Sequence, residues 1–259
     1  MGILNVTPDS FSDGGKFYSP DAAVARGLEL AGQGVDLLDI GGESTRPGSE
    51  AIPLEEELRR TIPVVERLAR QTSIPLSIDT SKAEVARQAL AAGASLINDV
   101  TALLGDPGMA SVASQARCGV ILMHMRGEPR TMQLRPRYAN VAAEVGAFLK
   151  TAAARARKAG IESSRILIDP GIGFGKTVRD NLRLMQHLDP IVKLGYPVVI
   201  GPSRKSFIGK LTGASVEDRL PGTLACLSAA GRAGVAVVRV HDAAEARQFL
   251  EVERAIRLA

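Results

Sequence analysis

The chain has 259 residues, 45% hydrophobic and 23% charged, with a formal net charge of +4, 3% aromatics and no Trp. This balance excludes a disordered chain, and a length near 250 is what an α/β barrel needs as a single domain spanning residues 1–259. Basic residues are interleaved with acids, as in Glu55-Glu56-Glu57-Leu58-Arg59-Arg60, without stacking aromatics, which argues against a nucleic-acid partner.

No apolar run reaches the roughly 18 residues of a membrane span, and no signal-like segment opens the chain, so no membrane partner and a cytoplasmic location are expected. Cys118 and Cys226 stand in apolar surroundings without metal-ligand spacing and read as small core residues in a reducing compartment.

In chain order, a short apolar run, Gly2 to Asn5, precedes an amphipathic stretch from Asp21 to Ala31, with Ser19 as its cap and Pro20 in its first turn. Gly34 then opens a second run ending at Asp39-Ile40, followed by a helix-like stretch from Leu54 to Arg70. A third run, Ile74 to Asp79, leads into Lys82 to Ala92, for which Thr80 or Ser81 is the expected cap. The same phrase returns at Gly93 to Asp99, at Gly119 to His124, and at Gly160 with Arg165 to Asp169. It recurs at Gly195 to Gly201 and at Gly234 to Arg239, with helical stretches at Val141 to Ala159 and Val178 to Leu188.

Gly tolerates the left-handed conformation that ends a helix, and a continuous apolar run after it reads as a strand buried on both faces. Eight strand–helix units imply an α/β fold with parallel strands, a (β/α)8 TIM barrel. A doubly wound open sheet is the competing architecture, disfavoured by the count of eight and by the lack of a dinucleotide-binding glycine fingerprint.

Barrel active sites lie at the C-terminal ends of the strands. The polar residues there are Asn5, Asp39 with Glu43 beyond it, Asp79, Asn98, His124, Asp169, Ser203 with Lys205, and Arg239 with His241. Singly, each is an ordinary strand terminator; together they describe a rim. Asp79, Asn98 and Asp169 supply acceptors and one amide donor, suited to a heterocycle presenting an amino group beside a ring N–H. Lys205, Arg239 and His241 supply donors and positive charge on the opposite side, suited to a carbonyl oxygen or a phosphate. The rim reads as a site for a flat polar ring carrying an anionic group.

The loops after strands 1 and 2, Thr7 to Gly15 and Gly41 to Gly48, are rich in Gly, Ser, Asp and Pro yet carry Phe11 and Arg46. They read as mobile lids that exclude water. Asp169 to Thr177 is not a P-loop, because Pro170 falls where the first Gly is required. Its glycines instead admit close backbone approach to a flat ligand, with Phe174 as an apolar wall. The three histidines have no zinc spacing.

GILNVTPDSFSDGG (residues 2–15), GGESTRPG (41–48), SIDTSK (77–82), IND (97–99), LMHM (122–125), DPGIGFGK (169–176), SRKSF (203–207) and RVHD (239–242) together resemble the dihydropteroate synthase family, in order and along nearly the whole chain. The resemblance implies an enzyme that joins 6-hydroxymethyl-7,8-dihydropterin diphosphate to 4-aminobenzoate, releasing dihydropteroate and diphosphate in folate biosynthesis. It assigns catalysis to Asp79, Asp169, Lys205, Arg239 and His241, and the pterin to Asp79, Asn98, Met123, Asp169, Phe174, Lys205 and Arg239. Asn5, Thr45, Arg46, Arg239 and His241 would hold the diphosphate, with Asn5 a ligand of Mg2+. Phe11, Thr45, Pro47, Ser203 and Ser206 would shape the aminobenzoate pocket.

The resemblance also implies a homodimer, sulfonamides as competing ligands, and a short segment ahead of the first strand, where here Met1 abuts Gly2. A folate-dependent methyltransferase shares the Asp/Asn pattern but not SRKSF or both loop motifs. A catalytically silent pterin-binding barrel would not need Lys205, Arg239, His241 and the first loop, all of which are present.

Overall fold

A computed structural model describes residues 1–7, 19–45, 48–128 and 130–259. Strands β1 (Gly2–Asn5), β2 (Leu38–Gly41), β3 (Leu76–Asp79), β4 (Leu96–Asp99), β5 (Gly119–Met123), β6 (Ile166–Asp169), β7 (Val199–Ile200) and β8 (Val237–Val238) alternate with helices. The helices are α1 (Pro20–Gly32), α2 (Leu54–Gln71), α3 (Ala83–Ala91), α4 (Met109–Ala116), α5 (Val141–Lys158), α6 (Val178–Gln186), α7 (Asp189–Val192), α8 (Ser206–Thr212), α9 (Leu220–Ala233) and α10 (Ala243–Leu258).

Strands β1 to β6 pair in sequence order and in parallel, as do β7 and β8. A parallel bridge between Ile168 and Val198 joins β6 to the β7 edge, and one between Gly2 and Val240 brings the chain after β8 back to β1. The closing bonds are Ile3 N–H to Val240 O at 2.9 Å and Val240 N–H to Met1 O at 3.0 Å. The ring is the expected eight-stranded barrel. Its last two strands are shorter than their apolar runs, because regular pairing there is confined to Val199–Val237 and Ile200–Val238.

Ser19 caps α1 as its sequence predicts, its hydroxyl accepting from the Ala22 N–H at 3.4 Å. The expectation for α3 is corrected. Neither Thr80 nor Ser81 caps it; the Ala83 N–H donates to Asp106 Oδ2, 2.8 Å away, while Thr80 Oγ1 takes the Lys82 N–H. A carboxylate from a later loop therefore satisfies a donor that a local hydroxyl was expected to meet.

Two cores follow from the two faces of the strands. The outer one packs Leu4, Leu38, Ile40, Ile78, Ile97, Val120, Leu122 and Ile168 against helix residues such as Val64, Val65, Leu68, Val85 and Leu149. Full burial of such side chains contributes roughly 1.5–3 kcal/mol each. The inner one is a plug of Met1, Leu37, Ile121 and Val199, with Leu96, Leu167 and Val237 packed on it. Because strand side chains alternate with a period of two, the next inward layer is two residues on. Leu37 gives way to Asp39, Leu96 to Asn98, Ile121 to Met123, Leu167 to Asp169 and Val237 to Arg239. The apolar plug is thus floored by one layer of residues and the polar mouth is lined by the next.

Candidate active site

The alternation that builds the plug also selects which polar residues meet. Asp79 lies opposite Asn98 in the β3–β4 register. Asp169 lies opposite Met123 in the β5–β6 register. Asp39, fully buried, is the hub: its Oδ2 accepts from Arg239 Nε at 2.6 Å and from Asn98 Nδ2 at 3.0 Å. Arg239 Nη2 reaches Asp79 Oδ2 at 2.8 Å.

This corrects one expectation: Arg239 does not face the acids from the far side of the mouth but is ion-paired to two of them. An arginine inserted among carboxylates on neighbouring inward positions compensates their desolvation. Asp39 takes one of the two N–H donors of the Asn98 amide.

Burial raises the Asp79 carboxyl well above the usual carboxylate range; the Arg239 charge opposes the shift, and the negative field of Asp39 adds to it. Asp169 is pushed up to about 6, again chiefly by burial, against the Gly171 N–H and the charges of Lys205 and Lys176. For Arg239, burial alone would lower the guanidinium pKa, but Asp39 and Asp79 outweigh it and hold the side chain firmly charged. The mouth therefore holds carboxylates that gain from any ligand able to donate hydrogen bonds to them.

Met123 and Phe174 lie in one apolar cluster with Val100 and Met132, beside this polar layer. Lys205 Nζ sits 4.0 Å over the Phe174 ring centroid, a cation–π contact. Gly173 makes that approach possible, because an added Cβ would stand 2.9 Å from Lys205 Cδ. Asp169 Oδ1 accepts from the Gly171 N–H at 2.7 Å. His241 Nδ1 is 2.9 Å from the buried Ser203 hydroxyl, which also accepts the His241 backbone N–H. Ser203 thus faces His241 and fixes its ring.

Asn5 is half-buried at the end of β1, Thr45 half-buried after β2, and Ser206 exposed at the start of α8. Phe11, Arg46 and Pro47, and most of the loop after β1, lie outside the described residues.

The described part of the loop after β2 is held from below. Lys82 pairs with both Glu43 and the buried Glu57, and Arg60 Nη1 donates to Gly42 O at 2.9 Å. Burial works against the Lys82 charge, but the two carboxylates more than offset it and raise its pKa.

Three residues take parts that the motif assignments omit. Asp39 is legible as a strand-end acid, yet its role as hub is not. His124, read as a rim residue, is instead buried at 3% exposure, and its pKa is pushed down to about 3 by burial and by Lys176 and Arg126. Lys176, at 2% exposure, carried no signal beyond its motif.

A closed parallel barrel whose mouth gathers buried acids around one arginine defines an enzyme of the pterin-binding class, and residues 1–241 match the sequence model of the family described as pterin binding enzyme. The dihydropteroate synthase of Synechocystis sp. is 45% identical over 257 residues, covering 99% of this chain and 89% of that protein. A structure of the Xanthomonas albilineans dihydropteroate synthase with 4-aminobenzoic acid superposes with a TM-score of 0.94 at 52% identity, covering 100% of this chain and 92% of that one. A Yersinia pestis dihydropteroate synthase in a sulfonamide drug complex does so at 0.94 and 41%, covering 100% and 94%. The chain belongs to the dihydropteroate synthase family.

Proposed function

We propose that the barrel mouth condenses 6-hydroxymethyl-7,8-dihydropterin diphosphate with 4-aminobenzoate, giving 7,8-dihydropteroate and diphosphate. The observation that carries the reading is the buried set Asp39, Asp79, Asn98 and Asp169 with Arg239 paired into it. A pterin edge offers an amino group beside a ring N–H, the donor pair that a buried carboxylate lacks. Gly171 occupies one oxygen of Asp169, which leaves the other to the ring. Met123 and Phe174 form the apolar wall, and Lys205, held over Phe174, serves the ring carbonyl.

His241, oriented by Ser203, takes the diphosphate together with Asn5, Thr45, Arg46 and Arg239. Thr45, Ser203 and Ser206, with Phe11 and Pro47, take the aminobenzoate. Binding of 4-aminobenzoic acid by the Xanthomonas relative and of a sulfonamide by the Yersinia relative supports that second pocket and sulfonamides as competitors for it. A homodimer is proposed on the family resemblance.

The chemistry follows from charge placement. The methylene C–O bond breaks first, its electron pair leaving with the diphosphate beside the cationic residues. The positive charge that develops on the methylene spreads into the ring, near Asp79 and Asp169. The amine of 4-aminobenzoate then forms the C–N bond and gives up a proton. No covalent enzyme intermediate is required.

Among the described residues no cluster of three or more His, Cys, Asp or Glu could hold a metal; Asn5, at the end of β1, is the residue that would hold Mg2+ beside the diphosphate. When bound, the ion supplies charge neutralisation on the leaving group. Among the described residues no helix is long and apolar enough to cross a membrane.

A diphosphate-release assay tests the reading. Release dependent on 4-aminobenzoate, inhibited by a sulfonamide and lost in Asp79→Ala and Asp169→Ala together with pterin binding is expected. Pterin binding without diphosphate release would instead indicate a silent binding barrel, and wild-type pterin affinity in both variants would overturn the site.

A further inference from the structure

The segment after β6 contains a buried lysine that none of the roles above uses. Gly171, Gly173 and Gly175 have φ of 68°, 85° and 59°, so the backbone reverses repeatedly and turns carbonyls inward. Lys176 Nζ lies among them, 2.8 Å from Gly171 O, 3.0 Å from Phe174 O and 3.0 Å from His124 Nδ1, with His124 O at 3.4 Å. A β-carbon cannot be added at Gly171, where it would stand 2.0 Å from His124 O. The outer side of the segment is tied as well, by Gln133 Nε2 to Gly173 O at 2.6 Å and Asn181 Oδ1 to the Gly173 N–H at 2.7 Å.

We propose that Lys176 is a positioning residue for the pterin subsite: its ammonium gathers the Gly171 and Phe174 carbonyls against the His124 ring and so sets Asp169, Phe174 and Lys205. The inference rests on the pterin reading above. The route to each is short. Gly171, whose carbonyl Lys176 holds, gives its N–H to Asp169 Oδ1. Phe174, whose carbonyl it also holds, carries the ring beneath Lys205 Nζ.

The charge state matters. An ammonium has three N–H donors, enough for the three nearest acceptors, Gly171 O, Phe174 O and a neutral His124 Nδ1, with His124 O farther off at 3.4 Å, whereas an amine has two. The groups facing Lys176 are His124 after β5, held neutral, Asp169 on β6 and Asp180 on α6, which favour the ammonium, and Lys205 and Arg126, which oppose it. Burial is the largest influence and brings the group down to about 7. Since the folded protein gives up this proton well below 10.5, the ordinary value, the gathered loop is complete on the acid side of neutrality and loses one bond as pH rises.

The test compares binding of pterin-6-carboxylate, followed by its fluorescence, to the wild type and Lys176→Met between pH 6 and 9. Their affinity ratio cancels the ligand's own ionisation. The variant is expected to bind about ten- to hundred-fold more weakly at pH 6, with the ratio falling as pH rises to 9 yet staying above one, since the amine keeps two donors that Met lacks, and with the KM for 4-aminobenzoate unchanged.

A ratio near one at pH 6, or a ratio constant with pH, overturns the proposal. Lys176→Gln, which keeps two donors without the charge, replaces the Met variant if that does not fold. Its ratio should likewise fall as pH rises, and a ratio constant with pH refutes the idea. Asp169→Asn measured alongside separates the two readings: wild-type binding in that variant sinks the pterin subsite itself, whereas its loss beside an unaffected Lys176 variant sinks only the role of Lys176.

Discussion

Replacing Asp39 with Asn removes one charge from the centre of the mouth and almost nothing from its shape. Asp39 is fully buried, and both its hydrogen bonds fall on Oδ2. Its Oδ1 has no hydrogen-bond partner among the described residues, so the new amide can place its NH2 there and keep both bonds on its oxygen. What is lost is half of the negative charge paired with Arg239, whose side chain is 18% exposed.

Breaking a buried pair outright costs about 3–5 kcal/mol. Retention of the acceptor and of the 2.8 Å contact with Asp79 reduces this to about 2 kcal/mol. Removing Asp39 also relieves Asp79 of a charge that hinders its ionisation, which returns a further fraction. For a chain of this size the remainder, below about 2 kcal/mol, lowers Tm by at most roughly 4–8 °C. With Arg239 drawn towards Asp79, pterin affinity and diphosphate release should both fall. Calorimetric melting at pH 7.5 and the release assay measure the two effects. A Tm within 1 °C of wild type together with unchanged pterin affinity would refute the hub assigned to Asp39.

Three other expectations follow from the same geometry. The folded protein keeps His124 neutral down to about pH 3 while the ordinary value is 6.5, so the unfolded state binds the proton first and stability from this group is lost as pH falls through that interval. The Tm advantage of wild type over His124→Gln should therefore shrink between pH 7 and pH 4.5, and a constant difference would contradict the assignment.

Lys82→Met strands the buried Glu57 and releases Glu43. About 2–3 kcal/mol of stability should be lost in denaturant titrations, with a raised KM for 4-aminobenzoate and unchanged pterin binding; equal damage to both substrates would show that Lys82 does not act through the loop after β2. Phe11→Ala should impair use of 4-aminobenzoate and spare pterin binding, and unchanged aminobenzoate kinetics would remove Phe11 from that pocket.

Much of the barrel was legible because its signals are local. A glycine that ends a helix, a short apolar run and a polar residue at the strand end lie close together along the chain; six such phrases, with two further runs that lack the leading glycine, imply closure. Position at the C-terminal end of a strand placed Asp79, Asn98 and Asp169 at the mouth. It was less able to separate Asn98, which faces Asp39, from Asp99, whose carboxylate instead accepts from the Thr101 and Leu103 N–H groups.

By itself, then, the sequence determined the alternation of parallel strands with helices, the burial of the strands on both faces, the Ser19 cap and the family motifs, all of which depend on neighbours along the chain. Only the tertiary structure decided who pairs with whom. Arg239 meets Asp39 across 200 positions and Asp79 across 160, Asp106 caps a helix that begins 23 residues earlier, and Lys176 finds His124 from 52 residues away. Hydrogen-bond partners and desolvation arise from what closure of the ring brings together, and these fix the proton affinities of Asp79, Asp169, His124 and Lys176. No spacing along the chain encodes them.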